Sequence, residues 1–293
     1  MLSLTTPIHR VHPGALTIAS AGFAETLINA MEAKNAYLRG HSQRVAELAA
    51  SIAEALGLNE DVVEQVRLAG TLHDIGKIGI REAVLDKPGR LDPEEYAHVK
   101  DHVRIGLEIL APMTDLGPVL SFIGDHHERL DGSGYPRGIA GEAISIGGRI
   151  IGAADVFDAL TSRRAYRDSR SEAETLAYMA GLVGTALFPD VFAALRRVVE
   201  LRQSLVFLGE MRVPGAHLEH VHGGRPTSEP DNAAQLSELV AAVAALPRAE
   251  RLALTLHYLE HLSDAEIGGL MESDRTTARV LRHNALRRIA KAG

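Results

Sequence analysis

The 293-residue chain has 31 Lys/Arg against 38 Asp/Glu, a formal net charge of −7, and 46% hydrophobic residues, so it can pack a core and has no overall polycationic character. It lacks cysteine, which excludes disulfides, thiolate nucleophiles and cysteine-held metal centres; any metal must be held by carboxylates and the 14 histidines. No apolar run approaches the roughly 18 residues a bilayer span needs, and MLSLTTPIHRVHPG lacks an export-signal pattern, so an unexported cytoplasmic protein without a membrane partner is expected.

Residues 1–22 read as an N-terminal extension. From 23 to 210 amphipathic helices succeed one another without a convincing period-two strand, so an all-α domain is predicted. In AYLRGHSQRVAELAASIAEAL, His41 lies one turn before Val45 on a stripe continuing through Leu48 and Ile52. Asn59 is a cap for DVVEQVRLAGTLHD, where Val62, Val66 and Ala69 define a face leading to His73 and Gly76 ends the helix. Asp92, Pro93 and Glu95 form a capping box with proline in the first turn, and Ser171 with Glu174 forms another. His102 shares a face with Val99, Gly106 and Leu110; His126 and His127 end a helix that runs into LDGSGYP; Asp155 sits within IIGAADVFDAL.

A lone histidine on an apolar face is more often a satisfied core residue than a ligand. Here several imidazoles and carboxylates are turned inward, and burying each without a partner costs on the order of 2–7 kcal/mol. A shared metal centre removes that cost. Mixed His and carboxylate ligands suit Fe, Mn or Zn, and a pair of such ions can activate water and polarise a phosphoryl oxygen. Lys77, three residues after Asp74, can place an ammonium against phosphate oxygens. DGSGYP must be a turn that lets backbone approach a ligand closely.

HDIGK together with HHERLDGSGYP resembles the paired signatures of the HD-GYP subgroup of the HD phosphohydrolases, over about residues 27 to 208. The resemblance implies an HD-superfamily helical bundle that hydrolyses cyclic di-GMP with two divalent transition-metal ions, Fe or Mn foremost. Carried across, His41, His73, Asp74 and Asp155 resemble the ligands of the first metal, and Asp74, His102, His126 and His127 those of the second, with Asp74 bridging. A glutamate that holds a third metal in some members is Tyr37 here, so two ions are expected. The resemblance also assigns Asp74 and Lys77 to catalysis, and Lys77, Asp131, Gly132, Gly134, Tyr135, Pro136, Arg164, Tyr166 and Arg167 to the substrate pocket. Asn35, Val103 and the order Phe188-Pro189-Asp190 depart from the family pattern without touching a ligand position.

Residues 211–232, rich in Pro, Gly and polar residues, read as a linker, and their His217, His220 and His222 as solvated side chains without a function. Residues 233–293 read as a second, smaller helical domain. From 230 onward eight Lys/Arg balance eight Asp/Glu, yet Arg275 to Lys291 carries six cations and no acid. Ser263 with Glu266 caps one short helix and Asp274 the next. This helix-turn-helix resembles region 4 of bacterial sigma factors and implies DNA or RNA polymerase as a partner, with Arg275, Thr276, Thr277, Arg279 and Arg282 as candidate DNA contacts. A dimerisation or sensor role for the same fold stays open. So do a homodimer, a phosphohydrolase for another nucleotide, and a cyclic di-GMP receptor without turnover.

Overall fold

The computed structural model describes residues 26–27, 40–162, 169–211, 239–259 and 262–292. The chain divides into two compact units, Met1–Leu195 and Arg196–Gly293. Among the described residues there are helices and no strand; an isolated bridge between Val183 and Leu187 is the β-type pairing present. The all-α prediction holds. Residues 212–238, with the predicted linker histidines, lie outside the described residues, as do Asn35, Tyr37, Arg164, Tyr166 and Arg167.

In the first unit α1 (His41–Ala55) starts after Gly40, and α2 (Glu60–Leu72) after Asn59, whose side chain accepts the Val62 N–H at 3.0 Å. The buried face of α2 is Val63, Val66, Ala69 and Gly70, one residue out of phase with the prediction that used Val62. Nor does Gly76 end this helix. It stops at Leu72 with His73 as the cap, and a 3₁₀ turn over Ile75–Gly79 follows.

A short α3 (Glu82–Leu85) leads to α4 (Pro93–Lys100), closed at its start by the predicted capping box of Asp92 and Glu95. A new helix, α5 (His102–Leu110), begins after Asp101, so Val99 and His102 lie on successive helices rather than one face of a single one. Then come α6 (Val119–Asp125), α7 (Ile146–Thr161), α8 (Glu172–Ala180, with the predicted box of Ser171 and Glu174) and α9 (Pro189–Met211).

Helices α1, α2, α6 and α7 pack on one another, and α5 packs on the 3₁₀ turn. Val45, Ile52, Val66, Leu72, Ile123, Ile150 and Ile151 are fully buried; each contributes about 1.5–3 kcal/mol relative to exposure. Two glycines decide how close the elements come. A Cβ on Gly76 would lie 1.8 Å from the His102 carbonyl oxygen, and one on Gly152 would lie 2.5 Å from the His126 carbonyl oxygen. Their bare backbones let the 3₁₀ turn after Asp74 meet the start of α5, and let α7, which carries Asp155, lie against the end of α6.

In the second unit α10 (Arg248–Tyr258), α11 (Asp264–Leu270) and α12 (Arg275–Ala292) pack mutually around Ala253, Ile267 and Ala278. Ser263 and Glu266 form the predicted capping box, and Asp274 accepts the Thr277 N–H at 2.6 Å.

Candidate functional site

Three histidines at helix boundaries share one local device. The Nδ1 of His73 lies 2.7 Å from the Gly70 carbonyl, that of His102 2.8 Å from the Val99 carbonyl, and that of His126 2.6 Å from the Ile123 carbonyl, in each case three residues back. A carbonyl only accepts, so Nδ1 carries the proton and Nε2 is left as a bare lone pair. All three Nε2 atoms are buried without a hydrogen-bond partner, as is Oδ1 of Asp74. His41 is turned the same way by a carboxylate, its Nδ1 2.7 Å from Asp158 Oδ2.

These lone pairs converge on Asp74, which is 1% exposed. Its Oδ2 lies 3.5 Å from His41 Nε2 and 3.4 Å from His73 Nε2, while its Oδ1 lies 3.5 Å from His102 Nε2. Asp155 Oδ1 is 3.3 Å from His41 Nε2 and 3.9 Å from His73 Nε2. His41, His73 and Asp155 thus form one group with donor atoms within 4.8 Å of one another, His102, His126 and His127 a second, and His73, Asp74 and His126 a third that joins them. All seven side chains proposed as ligands are brought into one cluster from five helix ends and one helix interior.

Apart from His41, the cluster's charges match what a metal needs. Burial, reinforced by the neighbouring imidazoles, holds His126 well below the usual histidine range, and burial pushes His127 down to about 3 and lowers His102, so these rings are neutral. Burial alone would raise the carboxyls of Asp74 and Asp155, but the Lys77 ammonium and the surrounding histidines hold Asp74 ionised, and His41 and His73 do the same for Asp155. Burial would likewise lower His41, yet Asp155, Asp158 and Asp74 push it up to about 11, so this ring is protonated without an ion and gives up its Nε2 proton on binding one. Neutral imidazoles and ionised carboxylates are the forms that coordinate first-row ions. Buried, unpartnered nitrogen lone pairs cost several kcal/mol unless something occupies them. The residues present therefore fit a metal centre.

Lys77 is half-buried and pairs with Asp74, which keeps its ammonium at the cluster. The DGSGYP loop covers the other side. Its Tyr135 N–H donates to the His127 carbonyl at 3.1 Å, and the Tyr135 ring stacks on His127 with centroids 4.6 Å apart. Two buried carboxylates that the sequence reading missed anchor this loop. Glu128 accepts the N–H groups of Arg137 (2.7 Å) and Ile139 (3.2 Å), while Asp125 accepts the Ser145 N–H at 2.9 Å and pairs with Arg137. Asp131 is exposed and accepts the Ser133 N–H at 2.9 Å, so its carboxylate shapes the turn; Pro136 is exposed, and Gly132 and Gly134 are half-buried.

Residues 25–189, more than half of the chain, match the family model of the HD domain. The chain belongs to the HD domain family. Across the HD domain it is 42% identical over 171 residues to a 3'3'-cGAMP-specific phosphodiesterase of Vibrio cholerae, a match covering 58% of this chain and 37% of that protein. It is 43% identical over 158 residues to a cyclic di-GMP phosphodiesterase of Thermotoga maritima, covering 53% and 42%. The chain thus spans about two fifths of the length of these relatives. A crystal structure of a cyclic GMP-AMP specific phosphodiesterase of V. cholerae aligns at 35% identity over 64% of this chain and 42% of that one, with a TM-score of 0.43.

Outside the HD domain, residues 236–289 match sigma-70 region 4. There Arg275, Thr276 and Thr277 are exposed at the start of α12 and Arg279 is half-buried. Arg282 is placed differently from the prediction. It is 5% exposed, and its guanidinium makes a two-pronged contact with Asp264 at 3.0 and 3.1 Å, joining α12 to α11. An arginine that closes the module's own core is not presented to phosphate. Among the described residues no helix is long and apolar enough to cross a membrane.

The HD domain also holds a residue that spacing could have revealed. Asp158 lies three residues after Asp155 on α7, hence on the same face, and it binds both His41 and Arg44, whose Nε lies 2.6 Å from Oδ1.

Proposed function

We propose that the HD domain of this chain, over about residues 23–210, is a binuclear metal-dependent phosphodiesterase that hydrolyses cyclic di-GMP to linear pGpG and onward to GMP. The observation that carries the reading is the convergence of the unpartnered Nε2 lone pairs of His73 and His102 on the two oxygens of Asp74, with Lys77 beside it. His41, His73, Asp74 and Asp155 would hold one ion and Asp74, His102, His126 and His127 the other, with Fe or Mn favoured by this donor set. When bound, the ions supply a water of lowered pKa and a Lewis acid for the phosphoryl oxygen.

The chain's own residues do the rest. Asp74 offers one oxygen to each group of histidines and so fixes their separation. Lys77 brings a positive charge to the non-bridging phosphate oxygens, where negative charge grows as the water oxygen adds to phosphorus and the bond to the sugar 3′ oxygen breaks. The leaving oxygen takes up a proton. Tyr135, stacked on His127, walls the site toward the bases, and Arg164, Tyr166 and Arg167 follow α7 in a stretch suited by composition to phosphate and guanine recognition.

A second substrate reading, 3'3'-cGAMP, is supported by the named specificity of the Vibrio cholerae relative. For the tail, the match of residues 236–289 to sigma-70 region 4 supports contact with DNA or RNA polymerase through Arg275, Thr276, Thr277 and Arg279. A cytoplasmic location is part of this reading, since cyclic dinucleotides, DNA and RNA polymerase are met there.

The test is chromatography of products from cyclic di-GMP and 3'3'-cGAMP, using protein loaded with Mn or anaerobic Fe(II) beside an Asp74→Ala control of matched folding. Conversion to linear products that vanishes in the control is the expected result, and the faster substrate decides between the two dinucleotides. Binding of cyclic di-GMP without cleavage would make the protein a receptor instead.

A further inference from the structure

From the candidate metal cluster a ladder of rings leads outward: His102 to His127 with centroids 5.1 Å apart, then His127 to Tyr135 at 4.6 Å. It does not stop at the DGSGYP loop. The Lys100 ammonium lies 5.8 Å from the Tyr135 ring centroid and 5.2 Å from that of Tyr96, one turn earlier on α4. Lys100 is the last residue of α4, two before His102. Tyr96 is 49% exposed, and α4 buries no residue fully.

The surface-packing explanation covers only part of this. A cation in the last turn of a helix is favoured by the helix dipole by about 0.3–1 kcal/mol, which accounts for a lysine at position 100. The i,i+4 spacing on α4 accounts for the ammonium lying over Tyr96, but neither effect accounts for its lying against Tyr135, which comes from the DGSGYP loop. Among the described residues no carboxylate lies within ion-pairing distance of Lys100. A positive charge without an acidic partner, flanked by aromatic faces and joined to the metal cluster by Tyr135 stacked on His127 and His127 set edge-on to His102, has the composition of a nucleotide subsite.

We propose that Lys100 and Tyr96 form an outer subsite for the half of a cyclic dinucleotide that is not being cut, Lys100 taking the non-scissile phosphate and Tyr96 stacking on the adjoining purine. This rests on the phosphodiesterase reading above and adds to it the feature that separates cyclic dinucleotides from simple phosphodiesters. Lys77 serves the phosphate at the cluster, and a substrate with two phosphates needs a second cation at a distance. Stacking of one base on an aromatic ring is worth about 1–3 kcal/mol, and the loss of either contact falls on substrate binding more than on the chemical step.

The experiment compares Lys100→Met, Lys100→Arg and Tyr96→Ala with the unaltered full-length protein, all loaded with Mn. Substrates are cyclic di-GMP, 3'3'-cGAMP and bis(p-nitrophenyl) phosphate, which has one phosphate and no purine. Metal content is measured alongside. Lys100→Met and Tyr96→Ala are expected to raise KM for the cyclic dinucleotides about tenfold with kcat changed less than twofold. The preference over bis(p-nitrophenyl) phosphate should fall by the same factor, and Lys100→Arg should restore most of it. Equal losses on all substrates, or lost metal, would mean that these residues only support the cluster and would overturn the subsite. Unchanged KM values would do the same. Cleavage of bis(p-nitrophenyl) phosphate but neither dinucleotide by the unaltered protein would instead sink the cyclic-dinucleotide reading itself, and the subsite with it.

Discussion

His41 and Asp158 form a buried pair across the HD domain, Nδ1 to Oδ2 at 2.7 Å, joining the first residue of α1 to α7. Asp158 is not positioned as a ligand; it aims the imidazole that is. Outer partners of this kind change metal affinity or activity about 10–100-fold when removed. Asp158→Ala is therefore expected to lose metal first from the group containing His41, read as a fall of about half in bound metal at limiting supply. Full retention of both metals, by elemental analysis after dialysis, would count against that role.

The unpartnered Nε2 atoms of His73, His102 and His126 predict a large metal dependence of stability. An ion at 100 times its Kd stabilises the native state by about 2.7 kcal/mol. Adding Mn to chelator-treated protein should raise Tm by several degrees, and Asp74→Ala should abolish the rise. The measurement is a thermal melt with and without chelator.

Gly76→Ala would place a methyl against the His102 carbonyl and the Gly106 N–H, 1.8 and 2.5 Å away. Both are backbone, so neither can swing aside. Overpacking of this kind costs about 1–3 kcal/mol and sometimes more. The variant should melt lower and hold less metal than wild type even when folded, because relief comes only by moving α5 and with it His102.

In the second unit Arg282→Ala should behave as a stability variant. It leaves Asp264, now paired at 3.0 Å, without its partner in the α11–α12 contact. Arg275→Ala should instead lower the salt slope of DNA binding by about one. A thermal melt checks the first, and fluorescence anisotropy with a labelled duplex over a salt series checks the second.

Glu266 accepts hydrogen bonds from the Ser263 hydroxyl (2.7 Å) and backbone N–H (2.8 Å), which hold its carboxyl below the usual range. A depressed folded-state pKa gives stability that is present above the ordinary value near 4.5 and is lost as pH falls through the lowered one. Ser263→Ala should lower the melt at neutral pH, because it removes both the cap on the Glu266 N–H and the hydroxyl bonded to the Glu266 carboxylate. The gap from wild type should narrow but not close in acid, because protonation of Glu266 removes the Ser263 hydroxyl bond to its carboxylate and leaves the Glu266 N–H bond to Ser263 Oγ in place; melts between pH 6 and pH 3 check this.

The caps at Asn59, Asp92, Ser171 and Ser263 were legible in the sequence because a cap is a local event; one side chain meets a backbone N–H two or three residues on. The all-α class was legible from helical periodicity; the seven clustered side chains were legible through the resemblance carried by the paired HDIGK and HHERLDGSGYP motifs, since periodicity put Val62 on the wrong face and Val99 on the wrong helix. Phase and ends were less secure. Val63 replaces Val62, and α2 stops at Leu72, because the packing of α1 and α6 on α2 chooses the buried stripe and the Gly76 approach to His102 chooses the stop.

What only the tertiary structure decided are contacts between side chains on different elements. Asp158 reaches His41 across 117 positions, Lys100 is flanked by Tyr96 and Tyr135, Glu128 and Asp125 hold the DGSGYP loop, and Arg282 turns inward to Asp264. Periodicity gives each side chain a direction relative to its own helix axis, but the identity of what it meets depends on how helices cross. That crossing is set by close backbone approaches such as those at Gly76 and Gly152, which are properties of pairs of elements and not of either sequence segment alone.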